Sequence, residues 1–181
     1  LHSNKKSIVN QREVGVDTKS YARALKSAMR EAPDVILVGE VRDRETMQTT
    51  IDLAGTGHLA VATLHSNNAP ETLDRIINLF PEEQHPQVYM DLSQYLRAII
   101  SQRLVRGIDG QRVAAVEVML NTPRIAELIQ RGDVSKVKES FRESTEQGMQ
   151  TFDQSLLKLY KDGKVSMEEA LANADSRSNL E

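Results

Sequence analysis

Two unbroken apolar runs mark the centre of the chain. Val35–Val38 is mostly β-branched and lies between Pro33 and Gly39, and the run 59–64 is equally apolar. Because a sheet buried between helices has no wet side, such runs predict strands covered on both faces. The stretch 45–54 between them has room for about three helical turns with one apolar face. The pattern therefore predicts a β–α–β unit whose strands are parallel and adjacent or nearly adjacent.

The same reading predicts the remaining elements. Before the β–α–β unit they are a short strand at 7–11 and a helix from a cap at Asp17 or Thr18 to about Glu31. After it they are a helix opened by an asparagine cap within 67–68 and by Pro70, a helix over 82–101 and a hairpin around Asp109 and Gly110. Short polar helices are predicted at 123–130, 134–146, 152–161 and 166–173. We therefore predict an α/β fold, with an α/β domain over 1–121 and a C-terminal helical subdomain over 122–181.

Polar residues follow both central strands. In an open parallel sheet, ligands bind beyond the carboxyl ends of the strands. The first strand ends in Gly39 and Glu40, and the second in His65 and Ser66, so we expect a carboxylate and an imidazole to face one crevice. His58 opens the second strand, about 20 Å from His65 at roughly 3.3 Å per residue. That distance excludes one metal ion shared by the two histidines.

Composition narrows the classes of function. The formal net charge is −3, and only 4% of residues are aromatic, which disfavours a nucleic-acid groove. The absence of cysteine excludes a disulfide framework and a thiolate metal site, and fits a reducing cytoplasm. No apolar run in the sequence is as long as a membrane span, and we expect no signal peptide within these residues. Because the chain opens with Leu1 instead of Met, we interpret it as part of a longer protein.

Two of these segments resemble a known motif pair. D-V-I-L-V-G-E-V-R-D at 34–43 and T-G-H-L-A-V-A-T-L-H-S-N-N-A at 56–69 are similar to the Walker B motif and His box of the secretion and type IV pilus ATPases. Within them, the chain is most similar to the pilus retraction motors of the PilT/PilU type, and its Q-R-L-V and G-M-Q-T-F-D segments favour the PilU-like branch. The resemblance covers nearly the whole chain, through 7–15, 73–80 and 148–153 as well.

The resemblance implies a fold, cofactors and a place in the cell. The fold is part of a RecA-like P-loop NTPase core, a central parallel sheet flanked by helices, with a helical appendage. The cofactors are ATP and Mg²⁺. The implied assembly is a homo-hexamer that powers pilus retraction and twitching motility from the cytoplasm, at the inner membrane beneath the pilus. Its implied partners are a paralogous pilus ATPase and the inner-membrane platform protein. We expect no nucleic-acid partner, on the grounds of composition given above.

Roles for individual residues follow from the same resemblance. Glu40 would be the Walker B acid, orienting water-coordinated Mg²⁺ or the attacking water, and His65 would sense the γ-phosphate. Gly39 would join these two in the nucleotide site. Further candidates for the subunit interface or for sensing are His58, Arg42 and Arg75. Exposed arginines such as Arg42 are commonly just solvated, and for Arg75 an ion pair on a helix face is the favoured interpretation.

Departures from the family pattern keep alternatives open. The sequence contains no G-x-x-x-x-G-K-[ST] loop, so we expect this part alone to be inactive and its phosphate-binding segment to lie upstream. Gly55 stands where retraction motors usually have Glu. A pilus assembly or type II secretion ATPase is one alternative, although many of those carry a four-cysteine zinc insertion that is missing here. A non-catalytic interaction fragment is the other.

Overall fold

The computed structural model describes residues 3–143 and 148–177 of the chain. The helices are α1 (Tyr21–Ala28), α2 (Arg44–Gly55), α3 (Ala69–Ile77), α4 (His85–Tyr95), α5 (Pro123–Gln130), α6 (Val134–Glu143), α7 (Phe152–Lys161) and α8 (Met167–Asn173). The strands are β1 (Val35–Val38), β2 (Leu59–Ala62), β3 (Ala98–Arg106) and β4 (Arg112–Leu120). Two compact units divide the chain, Leu1–Thr63 and Leu64–Glu181. We call them the N-terminal and C-terminal units. No helix among the described residues is long and apolar enough to cross a membrane.

The predicted β–α–β unit is confirmed in the N-terminal unit. Strands β1 and β2 pair in parallel, with Val35 opposite Leu59 and Val38 opposite Ala62. Helix α2 connects them and packs against β2. The chain leaves α2 through Gly57, whose φ of 95° lies in the left-handed region that glycine tolerates. A short helix and a tight turn thus bring the two strands into register.

The prediction that both faces of these strands are covered is wrong for this chain. Ile36 and Val38 are buried, whereas Leu37 on the other face of β1 is 61% exposed. Val35, Leu59 and Val61 are exposed as well. Successive side chains of a strand point to opposite faces, so the alternation shows one covered face and one open face. An apolar run shows that both faces of a strand favour apolar contacts. Among the described residues, none covers the exposed face of β1 and β2.

The segment before β1 differs from two sequence predictions. Residues 7–11 form no strand, and an isolated bridge joins Val14 to Thr18. Ser20, not Asp17 or Thr18, caps α1 by accepting a hydrogen bond from the N–H of Arg23. The Asp17 carboxylate instead accepts one from the N–H of Glu13 at 2.9 Å. Asp17 therefore closes the preceding turn and is not available as a helix cap.

The C-terminal unit begins with helix α3, which the sequence predicted correctly. Asn68 caps it and Pro70 lies in its first turn. The predicted helix over 82–101 is wrong at its end, because α4 stops at Tyr95 and β3 starts at Ala98. Asn121 explains the break: its side-chain amide donates to the carbonyl of Leu96 at 2.9 Å and to that of Ser93 at 3.0 Å. These bonds satisfy carbonyl groups that would otherwise be left open where the helix ends.

Strands β3 and β4 form the predicted hairpin. They pair antiparallel from Ala98 opposite Leu120 to Arg106 opposite Arg112, and Gly110 in the turn has a φ of 80°. Helix α7 packs on β4 and α8 on β3. Their buried core consists of Val105, Ala115, Phe152, Leu156, Leu159, Val165 and Ala170.

The helices predicted after residue 122 are present. Helices α5, α7 and α8 match, and α6 is described to Glu143, so its predicted end near 146 lies outside the described residues. The predicted capping box at α8 is half formed: Ser166 caps the N–H of Glu169, while the Glu169 carboxylate accepts from the N–H of Arg106. These helices share a compact unit with β3 and β4. The domain boundary between 121 and 122 stays a prediction.

Candidate functional site

Glu40 lies just beyond β1, in a backbone that is tied to the end of β2. The hydroxyl of Thr63 donates a hydrogen bond to the carbonyl of Gly39. On the other side of Glu40, the N–H of Val41 donates to the carbonyl of Thr63 at 3.0 Å. The parallel pairing therefore continues past β1, and it holds the Glu40 backbone between two hydrogen bonds.

The Glu40 carboxylate is paired with Arg42. One guanidinium nitrogen of Arg42 lies 2.5 Å from a carboxylate oxygen of Glu40. The hydrogen bond to Glu40 raises the pKa of Arg42, and their charge attraction adds to the effect. The Glu40 side chain is 24% exposed and that of Arg42 77%. A carboxylate at the predicted ligand edge is thus accessible, with a cation of the same loop beside it.

Asp43 is a residue of this loop to which sequence reasoning gave no role. Its carboxylate accepts a hydrogen bond from the N–H of Thr46 at 2.8 Å and caps α2. The hydrogen bonds from the backbone and side chain of Thr46 lower the pKa of Asp43. An aspartate directly before a helical stretch is a known N-cap signal that could have revealed this role. Asp43 fixes where α2 starts, three residues after Glu40.

His58 lies in the turn that enters β2. It is half-buried, and its Nδ1 atom is 3.1 Å from the hydroxyl oxygen of Thr56. Its backbone N–H reaches the carbonyl of Leu53 at 3.3 Å. His58 thus helps to close the turn between α2 and β2. The predicted role at a subunit interface stays a prediction, as it does for Arg42 and for Arg75, which is exposed in the last turn of α3.

His65 is an exposed residue three positions after the end of β2. Side chains of the loop that follows His65 form hydrogen bonds with the first turn of α3. Ser66 and Thr72 share a hydroxyl hydrogen bond of 2.6 Å, and Asn67 donates to the Glu71 carboxylate. Two hairpin residues, Arg103 and Glu117, also reach this loop through hydrogen bonds that the sequence did not predict. His65 belongs to the C-terminal unit and Glu40 to the N-terminal unit, so their predicted meeting stays a prediction.

The described residues contain no cluster of three or more His, Cys, Asp or Glu side chains that could hold a metal ion. Mg²⁺ does not need such a cluster, because it commonly keeps several waters and binds one or two carboxylates together with substrate phosphates. Glu40 is an accessible carboxylate of that kind. Gly39 beside it has open space where a Cβ atom would lie. This arrangement is compatible with a hydrated ion and a phosphate group near residues 39–40.

Comparison with known proteins assigns the family. The profile of the type II/IV secretion system protein family matches residues 4–172. The chain belongs to this family. The chain is also similar to type IV pilus ATPases, so the relationship predicted from the two motif segments is confirmed.

Three relatives define the similarity further. The chain is 54% identical to the type IV pilus ATPase PilU of Pseudomonas aeruginosa, over 99% of this chain and 47% of PilU. It is 44% identical to the retraction ATPase PilT of the same organism, over 99% of this chain and 52% of PilT. A crystal structure of the pilus retraction motor PilT with bound ADP matches with a TM-score of 0.88 at 46% identity, over 99% of this chain and 51% of that one. The predicted α/β fold class of these ATPases is therefore confirmed. The chain spans about half the length of these relatives.

Proposed function

We propose that the full-length protein is an ATP-hydrolysing motor that powers type IV pilus retraction. The observation that carries this proposal is the match to PilU and PilT over 99% of the chain, together with the structural match to a PilT that holds ADP. The higher identity to PilU than to PilT favours the PilU-like branch. Walker B and His-box roles for the two motif segments belong to this proposal.

Glu40 is the residue that we assign to the metal and the attacking water. Bound Mg²⁺ would neutralise charge that develops on the phosphates during transfer. Glu40 would hold this ion through a coordinated water, or orient the water that attacks. Its fixed backbone and partly exposed carboxylate support either role. Gly39, with open space at its Cα, would let phosphate oxygens approach the main chain.

His65 is assigned to the γ-phosphate. An imidazole N–H can donate a hydrogen bond to a phosphate oxygen and so report whether the γ-phosphate is present. The exposed position of His65 at the start of an ordered loop supports this assignment. The sequence has no phosphate-binding G-x-x-x-x-G-K-[ST] loop, and we assign that function to a segment of the full-length protein outside these 181 residues.

The assembly and its location are also part of the proposal. We assign the protein to a homo-hexameric ring in the cytoplasm, peripheral to the inner membrane at the pilus base. There it would act with a paralogous pilus ATPase on the platform protein of the inner membrane. A ring is a natural form for such a motor because ATP-driven movement of one subunit can be passed to the next.

A cell-based experiment separates retraction from assembly. In the source organism, deletion of the gene should abolish or weaken twitching while surface pili persist or increase. The wild-type gene should restore twitching, and Glu40→Gln should not. Glu45→Gln, which changes an exposed carboxylate in the first turn of α2, serves as the matched control and should restore twitching. Loss of surface pili on deletion would instead indicate an assembly motor, and unchanged pili and twitching would contradict both roles.

A further inference from the structure

Arg103 in β3 joins four parts of the C-terminal unit through one guanidinium group. It donates to the backbone carbonyl of Asn67 at 3.3 Å and to that of Asn173 at 3.0 Å. It forms an ion pair with Asp175 at 2.8 Å and stacks 3.9 Å from the ring centroid of Phe152. The planar, five-donor guanidinium is suited to such simultaneous contacts, whereas a lysine ammonium is not. Arg103 thus links the loop after His65 to α7 and to the chain after α8.

Glu117 in β4 reaches the same loop from within the core. It is 3% exposed, and its carboxylate accepts a hydrogen bond from the N–H of Ala69 at 2.8 Å. Ala69 is the first residue of α3, Pro70 has no N–H, and Asn68 accepts from the N–H of Glu71. Glu117 therefore completes the set of partners for the first turn of the helix that follows the His65 loop.

The segment 173–176 is held in turn by α7 and α6. The buried Asp153 carboxylate accepts from the N–H of Asp175 at 2.8 Å and from that of Ser176 at 3.5 Å. The Asp175 carboxylate also lies 3.6 Å from the Lys138 ammonium group. The order of this segment and the position of Arg103 thus depend on each other.

Fixing a hairpin against a helix through buried charged groups is unfavourable in free energy compared with apolar packing. Burying a carboxylate costs free energy, and well-packed apolar side chains often replace buried ion pairs without loss of stability. Glu117 shows this cost: burial disfavours its charged form and raises the pKa of its carboxyl group, although the hydrogen bond from Ala69 acts in the opposite direction. What apolar side chains could not supply are the directed hydrogen bonds to Asn67 and Ala69.

We propose that Arg103 and Glu117 are positioning residues that fix the loop carrying His65 from the hairpin side. Through them, α7 and segment 173–176 set the geometry of the loop within the C-terminal unit. This inference rests on the proposed function, in which His65 contacts the γ-phosphate. Neither residue is assigned a contact with the nucleotide.

The first test compares Arg103→Gln with Arg106→Gln in the full-length protein. Arg106 is an exposed arginine on the same strand and gives the matched control. For Arg103→Gln we expect kcat for ATP to fall about tenfold, since small misplacements of reacting groups have effects of this order or larger. We expect KM for ATP to change less than about twofold, because the loop is assigned to the γ-phosphate and not to general nucleotide binding. Arg106→Gln should match the wild type.

Hydrogen–deuterium exchange distinguishes positioning from general support of the fold. Amides of residues 65–72 should exchange faster in Arg103→Gln and in Glu117→Leu, while β3 and β4 remain protected. Glu117→Gln keeps an oxygen acceptor for the N–H of Ala69 and should restore slow exchange and kcat. If the two residues only supported the fold, Arg103→Gln and Glu117→Leu would not lower kcat at a nearly unchanged KM. Glu117→Gln would then have no such fall in kcat to restore.

Two results would overturn the inference while leaving the proposed function intact. One is an active wild type with unchanged kcat and loop exchange in Arg103→Gln and Glu117→Leu. The other is an exchange increase that spreads equally over β3, β4 and the loop, which would assign both residues to overall stability. A full-length wild type without ATP turnover would overturn the proposed function and this inference together.

Discussion

Arg42 holds a guanidinium nitrogen 2.5 Å from a carboxylate oxygen of Glu40, the proposed metal-directing acid. The pair is local and its arginine is largely exposed, so it contributes little to the stability of the fold. Its expected importance is electrostatic, because a cation next to Glu40 would compete with the proposed metal ion for the same carboxylate. If Glu40 holds the metal ion as proposed, Arg42 would connect the occupancy of that site to the conformation of a surface loop.

The Glu40–Arg42 pair leads to a prediction about magnesium. Arg42→Gln should lower the Mg²⁺ concentration at half-maximal ATPase activity by about two- to fivefold, since a charge-assisted bond to the carboxylate is removed. The measurement is a Mg²⁺ titration of ATP turnover by the full-length protein. Arg44→Gln, which changes the exposed first residue of α2, is the control and should leave the titration unchanged. An identical midpoint in Arg42→Gln would show that Arg42 does not compete with the ion.

Asp43 should matter for stability through its cap on α2. Asp43→Ala is expected to reduce the free energy of unfolding by about 1 kcal/mol, the usual effect of losing an N-cap. Asp43→Asn keeps the acceptor oxygen and should retain most of that stability. The comparison is made by urea denaturation at neutral pH. Equal losses in both variants would show that the cap bond to Thr46 is not the cause.

The stability that Asp43 contributes should be lost in acid. The pKa of Asp43 is lowered in the folded protein from its ordinary value of 3.8, so the unfolded state binds more protons as the pH falls. The stabilisation is therefore fully present above that ordinary value and is lost as the pH falls through the lower, folded value. Unfolding curves of wild type and Asp43→Ala should converge in this acid range. A constant difference down to the lowest pH at which the protein folds would contradict the assignment.

The stability contributed by Glu117 should depend on pH in the opposite direction. Burial raises the pKa of its carboxyl group above the ordinary value of 4.5, so between these two values the folded state binds more protons. Its contribution to stability is then greatest below 4.5 and is lost as the pH rises through the folded value. Glu117→Gln, a neutral mimic of the protonated form, should weaken the fall in melting temperature over this range. Glu168→Gln, at an exposed position, is the control, and an unchanged pH profile in Glu117→Gln would contradict the prediction.

Two nearby glycines predict opposite effects of the same substitution. Gly55 ends α2 in a helical conformation, so Gly55→Ala should stabilise the protein by about 0.5–1 kcal/mol by reducing the freedom of the unfolded chain. Gly57 has a φ of 95°, so Gly57→Ala should destabilise it by about 1 kcal/mol or more. Thermal unfolding of both variants gives the comparison. A destabilising Gly55→Ala would show that glycine is required there for another reason.

Local sequence signals predicted the elements that depend on local chemistry. The asparagine pair at 67–68 followed by Pro70 marked the start of α3, and Asp109 with Gly110 marked the hairpin turn. The apolar runs likewise predicted β1 and β2 and their parallel pairing. Errors arose where a distant partner decides the outcome. The amide of Asn121, more than twenty positions away, ends α4 before Ile99 and Ile100, which the helical pattern had included.

The candidate site divides in the same way. Glu40 and His65 could be proposed from their positions after two strands and from the motifs around them. The contacts of Arg103 with Asn67 and of Glu117 with Ala69 join residues 36 and 48 positions apart. No local pattern encodes such contacts, because they depend on the folded hairpin packing against α3. The sequence was therefore enough to propose Glu40 and His65. It was not enough to identify Arg103 and Glu117, which hold the loop after His65.

Steady-state ATP hydrolysis by the full-length protein decides whether it is a motor in which Glu40 acts on the metal or the attacking water. It is measured with and without Mg²⁺, for wild type and Glu40→Gln, with light scattering to determine the oligomeric state of each. We expect Mg²⁺-dependent turnover by a wild-type hexamer and loss of turnover in a Glu40→Gln protein that still assembles. Full turnover in Glu40→Gln would contradict the role of Glu40, and an assembled wild type without turnover would contradict the motor itself.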